Sequence, residues 1–172
     1  MTLKTGWQGR YLEDFEIGDL YRSSVGRTLL EADNTWMTLL TNNDNQIHFN
    51  AEYAKNTQFQ RPLMNSLVTL AVVTGLTVPD ISRNGINLGW DKVRLPHPVF
   101  AGDTLWSETE VTAVRESKSD PRRGIVHIKT RGLQQEGAVV IEFERDVMVW
   151  KREHAPSIGV FPEPVQAKQE AL

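Results

Sequence analysis

Cysteine is absent from this chain of 172 residues. Disulfides, thiolate metal ligands and cysteine nucleophiles are thereby excluded. Long apolar runs are also missing. The longest, Leu67 to Val78, is broken by Thr69, Thr74, Gly75 and Thr77, and it reaches about half the length that spans a bilayer. Met1 to Arg10 contain no apolar stretch of the kind that forms the core of a secretory signal. A cytoplasmic protein with no membrane partner is the expectation. Excess positive charge is lacking too. Nineteen Lys and Arg face twenty-two Asp and Glu, for a net charge of −3. That balance argues against a nucleic-acid partner and leaves room for a small anion held by a local basic cluster.

What is present fits one ordinary globular domain: 40% of residues are hydrophobic and 24% charged. There is no internal repeat. The proline-containing stretch Ala155 to Leu172 has no core of its own. The domain is therefore expected over residues 1–152, with a C-terminal tail over 153–172.

Two helices and a set of strands are legible. Thr28-Leu29-Leu30-Glu31 fits a capping box, after which Ala32, Trp36, Leu39 and Leu40 recur at helical spacing. By ordinary burial preferences Trp36 and the two leucines are core. A second helix begins at Asn65 or Ser66 and runs to about Thr77, with Arg61-Pro62 leading in and Pro79 closing it. Its apolar residues leave little polar face, so it reads as buried. Strands follow over Thr104 to Arg115, Gly124 to Leu133 and Val139 to Trp150. The last puts Val139, Ile141, Phe143, Val147 and Val149 on one face, interrupted by Arg145. Gln135 to Ala138 supply the hairpin turn before it. Weaker strands are expected near Leu20 to Arg27 and Ile86 to Arg94. Helices followed by consecutive strands imply an α+β fold with an antiparallel sheet. A sheet curved around one buried helix is the hot-dog arrangement. Its exposed edge needs a cover, and a homodimer is the expected one.

The stretch Leu40 to Asn50 places an acid and a histidine in a polar loop, where catalytic groups tend to sit. Arg61 to Ser66 then open the buried helix, whose first amides lack intrahelical partners. A base, an acid and an oxyanion donor thus lie in neighbouring segments. Proton transfer next to a carbonyl needs that set.

This pattern resembles the MaoC-like dehydratase family, which includes (R)-specific enoyl-CoA hydratases. The family motif is Asp-x-Asn-Pro-Leu/Ile-His, followed by a His-Gly pair that opens the central helix. Asn45-Gln46-Ile47-His48 matches its second half, with Gln46 in place of proline. Ala101-Gly102-Asp103-Thr104 looks like the family's Gly-Asp-Thr turn. The resemblance covers roughly Tyr11 to Lys151. Asn87 to Phe100 and Arg115 to Ser119 look closest to the mesaconyl-CoA (2-methylfumaryl-CoA) hydratase branch.

The resemblance implies a hydratase or dehydratase acting on a 2-enoyl-CoA thioester, with His48 as catalytic histidine and no cofactor beyond the CoA thioester substrate itself. The family's aspartate position holds Asn43, and the nearby acid is Asp44. Two readings stay open: Asp44 serves as base after a small loop shift, or Asn43 orients water while His48 alone moves the proton. Chemistry favours Asp44, because a carboxylate accepts a proton and an amide does not. Asn65-Ser66 stand at the His-Gly pair. Ser66 keeps the amide for the oxyanion, and Asn65 is a second substrate-binding candidate.

Two other functions compete. A hot-dog thioesterase would use the same tunnel, but it needs a carboxylate near the buried helix, and Met64 to Thr77 contain none. An inactive acyl-CoA-binding or pairing subunit is the other. His97, His127 and His154 have no metal-ligand spacing, so no metal is expected. His97 reads as a loop residue. Arg94, Lys118, Arg122 and Arg123 are candidates for the CoA phosphates. Gly85 to Gly89 lack the spacing of a nucleotide fingerprint.

Overall fold

A computed structural model of the chain describes residues 2, 4 and 6–156. Most of the proposed tail, 157–172, lies outside the described residues; its first residues belong to a 3-10 turn, Arg152–His154.

The strands are β1 (Leu20–Arg22), β2 (Arg27–Thr28), β3 (Gly85–Arg94), β4 (Thr104–Glu116), β5 (Arg123–Gln134) and β6 (Val139–Trp150). The helices are α1 (Glu31–Thr41), α2 (Ala51–Ala54) and α3 (Ser66–Thr77). The sheet runs in the order β1-β4-β5-β6-β3, and β2 continues the outer edge of β4 beyond β1. Every pairing is antiparallel. This is the expected α+β architecture.

The three long strands follow the sequence pattern because a half-buried strand alternates with period two. On β6, residues 141 to 149 at odd positions are all buried, and Arg145 is among them at 2% exposure. Its Nη2 donates to Thr77 Oγ1 at the end of α3, 2.7 Å away. Helix α3 packs on the inner face of the sheet. Its Val68 and Val73 join Leu105, Val140, Ile141 and Phe143 in the main core. Gly132 on β5 is what lets the helix come so close. A Cβ there would stand 2.6 Å from a Val73 methyl. A second cluster, with Leu12, Phe15 and Ile81 over Val126, Val147 and Val149, fills the other end.

Three expectations are corrected. Thr28 does not cap α1: its hydroxyl bonds Thr104 Oγ1, 2.7 Å away, and the N-cap is Leu30, two residues on. There the Asp33 carboxylate accepts from the Leu30 amide (2.7 Å) and pairs with Arg27. The α1 residues expected in the core face out, with Trp36 66%, Leu39 68% and Leu40 75% exposed. The inward residues are Asn34 and Thr38, with Met37 half-buried against the core. Finally, α3 is not buried all round, since Leu67, Ala71 and Gly75 form an exposed stripe.

Candidate active site

Asn45 begins a 3-10 turn, Gln46–His48, with its side chain accepting from the Ile47 amide (3.3 Å). His48 ends the turn, and its Nδ1 lies 2.9 Å from the Leu63 carbonyl oxygen. A carbonyl only accepts, so Nδ1 carries the hydrogen and Nε2 is left with its lone pair. The turn is tied to the segment before α3 a second time, since the Leu63 amide donates to Ile47 O (3.0 Å). The Met64 amide donates to Val99 O (2.8 Å), which ties the same segment to the loop before β4.

Asn34 fastens these pieces. It is 4% exposed. Its Nδ2 donates to His48 O (2.5 Å) and Leu63 O (2.9 Å), and its Oδ1 accepts from the Asn65 amide (2.8 Å). One side chain thus satisfies three backbone groups that belong to the histidine turn and the helix entrance. Sequence reasoning missed it. The available signal was a polar residue in helical phase with Thr38, opposite the apolar stripe of α1.

Asn65 is the N-cap of α3, its Oδ1 accepting from the Leu67 amide (2.9 Å). It is buried and caps the helix without lining the cavity described next. Ser66 follows as the first helical residue. Its amide makes no backbone hydrogen bond among the described residues.

His48 and Ser66 line one cavity of about 280 Å³. Phe59, Leu63, Met64, Thr69 and the loop residues 95–99 complete its lining. Its lining is mostly apolar and includes no carboxylate. His97, expected as a plain loop residue, belongs to this lining. His48 also borders a second hollow of about 350 Å³ that includes Glu31 and Arg61. Asn43 and Asp44 line neither. They border a third hollow of about 520 Å³ at the C-terminal end of α1, with Thr38, Leu39 and Phe49. The fold therefore brings His48 to Ser66 and leaves Asn43 and Asp44 outside that cavity.

The chain matches the pattern of the mesaconyl-CoA hydratase family over residues 2–170. It belongs to that family. The mesaconyl-CoA hydratase of Cereibacter sphaeroides is 35% identical over 148 residues, 86% of this chain and 43% of that protein. A MaoC domain protein from Chloroflexus aurantiacus superposes with a TM-score of 0.82 at 34% identity, over 95% of this chain and 47% of that one. A Mycobacterium tuberculosis protein described as having a double hotdog fold matches in fold, with a TM-score of 0.77 at 20% identity, over 95% of this chain and 52% of that one. The hot-dog expectation holds. The chain spans about half the length of the curated relatives it matches.

Three of the basic phosphate candidates, Lys118, Arg122 and Arg123, lie at the one connection between β4 and β5, and Arg94 lies on another strand. Asp120 holds Arg122 (2.9 Å) and Arg123 (3.4 Å), and both guanidinium groups stack on Trp150. Lys118 sits in the exposed turn between β4 and β5. Arg94 ends β3, beside the loop 95–99 that lines the cavity. Among the described residues, no three His, Asp or Glu side chains are grouped to hold a metal, and no helix is long and apolar enough to cross a membrane.

Proposed function

We propose that this chain is a hot-dog unit of an enoyl-CoA hydratase or dehydratase, a carbon-oxygen lyase, acting on a short 2-enoyl-CoA of the mesaconyl type. The observation that carries this reading is the shared cavity of His48 and Ser66. The thioester carbonyl accepts from the Ser66 amide at the positive end of α3. His48 Nε2 takes a proton from water as the hydroxyl adds to the β-carbon. The π electrons move onto the α-carbon and carbonyl, and the imidazolium returns its proton to the α-carbon. Atoms and charge balance with one imidazole. In this account Asn43 and Asp44, which border a different hollow, reach the water only through a shift of the loop that carries them. Asn43→Asp tests their register: a gain in rate on a simple enoyl-CoA would assign the base position to residue 43.

The size of the cavity supports a short acyl group, since it falls at the small end of ligand pockets. Hydrolysis is the weaker reading, because neither the cavity nor α3 contributes a carboxylate. A cytoplasmic setting goes with a CoA-thioester substrate.

The second unit is proposed to be another copy of this chain. Strand β3 is a sheet edge with one free side, and its Ile86, Leu88, Trp90 and Val93 are exposed. Relatives of double length and a double hotdog neighbour support a two-unit assembly. Light scattering on the pure protein should return twice the mass of the chain.

The deciding experiment follows crotonyl-CoA and mesaconyl-CoA by loss of enoyl absorbance and by free thiol. Absorbance loss without thiol, abolished in His48→Ala, is expected. Thiol release would mean an esterase, and CoA-ester binding without either change would mean an inactive pairing subunit.

A further inference from the structure

The cavity holds a second imidazole that the proposed reaction does not use. His97 sits between Pro96 and Pro98, whose rings fix the backbone on both sides. Its Nδ1 lies 3.0 Å from the Val139 carbonyl oxygen at the start of β6. By the argument used for His48, Nδ1 carries the hydrogen and Nε2 is free. Two imidazoles from separate segments of the chain, each anchored through Nδ1 to a main-chain carbonyl, therefore line one small space.

The polar side chains of that space are few: His48, Ser66, Thr69 and His97. No lysine or arginine lines it. Given the proposed reaction, His48 is taken by water and Ser66 by the thioester oxygen. An acyl group that ends in a carboxylate still needs a donor for that end. An unpaired carboxylate inside a mostly apolar cavity would be strongly disfavoured. Thr69 offers a neutral hydroxyl. His97 can offer a charge-assisted bond, because a carboxylate beside Nε2 draws a proton onto the ring.

We propose that His97 selects acyl-CoA thioesters whose acyl chain ends in a carboxylate, by bonding that carboxylate across the cavity from His48. This inference rests on the hydratase reading for its substrate class, and it makes His97 a specificity residue with no part in proton transfer to carbon.

The test uses two saturated thioesters that cannot be hydrated. Succinyl-CoA and butyryl-CoA have four-carbon acyl groups that differ in a terminal carboxylate against a terminal methyl. Calorimetry on the full chain should show succinyl-CoA bound tighter, by roughly tenfold or more for a hydrogen bond to a charged group. His97→Leu should erase that preference, and His97→Gln, which keeps an N–H donor, should restore part of it. Equal binding of the two thioesters by the wild type would overturn the role of His97 alone. A preference unchanged in His97→Leu would do the same. Binding of neither thioester would overturn the acyl-CoA reading together with it. A circular-dichroism melt of each variant checks that the loop substitution leaves the fold in place.

Discussion

Replacing Ser66 by proline removes one N–H and little else. Proline suits the first position of a helix, where the amide has no intrahelical partner and φ is already near the fixed value. The residue before a proline must be extended, and Asn65 already is, at φ −60° and ψ 132°. The cap also survives, since the Asn65 side chain accepts from Leu67 and not from Ser66. Stability should therefore change by no more than about 0.5 kcal/mol, the range of ordinary surface substitutions. The rate should not survive. Loss of one oxyanion donor costs about 3 kcal/mol of barrier, or roughly a hundredfold to a thousandfold in kcat. Ser66→Ala keeps the amide and controls for the hydroxyl, so its kcat should stay within a few fold of the wild type by the same reasoning. The assay is the absorbance of the enoyl thioester at saturating substrate, alongside a thermal melt. A folded Ser66→Pro variant with wild-type kcat would refute the assignment of the oxyanion site. An unfolded one would refute the account of how α3 begins.

Three further outcomes are expected. Asn34→Ala should lower the melting temperature and kcat together, since the His48 carbonyl and the Asn65 amide lose their partner, at about 1–3 kcal/mol for a buried unsatisfied group, while the Leu63 carbonyl keeps only His48 Nδ1; a melt and a rate measurement on one sample check both. Gly132→Ala should destabilise by about 1–3 kcal/mol, because the new methyl meets Val73 and Ile141, read from urea unfolding midpoints. The buried Glu108 is held below the usual glutamate range by hydrogen bonds from Arg22 and Arg131, against a burial that pushes it up. Its folded value lies below its unfolded one, so its contribution is present above the ordinary pKa of 4.5 and is lost as pH falls below it. The gap in melting temperature between wild type and Glu108→Gln should accordingly narrow on acidification.

The β half of the fold was legible because β4, β5 and β6 each show one alternating face to the core, and local residue type suffices to read that. Helix α3 was legible for a similar reason, with Asn65 marking its start. Its end was not, because the chain stays helical through Pro79 in a π turn, Val78–Ser82. Helix α1 was misread because its orientation answers to distant groups. The carbonyls of His48 and Leu63 and the amide of Asn65 need partners, and Asn34 meets them only if Trp36 and Leu39 turn outward. The four-residue α2, capped by Asn50, is too short to leave a periodic signal. At the site, the motif pointed to His48 and Ser66, and the fold brings both to one cavity. His97 gave no local sign, because its place there depends on a bond to Val139, 42 residues away.

The outer rim formed by β3 is not a flat ribbon. It carries extra residues between Asn87 and Gly89 and between Asp91 and Arg94, with Lys92 in the left-handed region at φ 51°. Such irregularities twist a strand and break the even spacing of its free N–H and C=O groups. A straight foreign strand would find few of those groups aligned, whereas a strand with the same irregularities can follow the rim throughout. Geometry at this boundary thus screens its neighbours, tolerating a matching hot-dog rim while discouraging the open-ended stacking that leads to fibres.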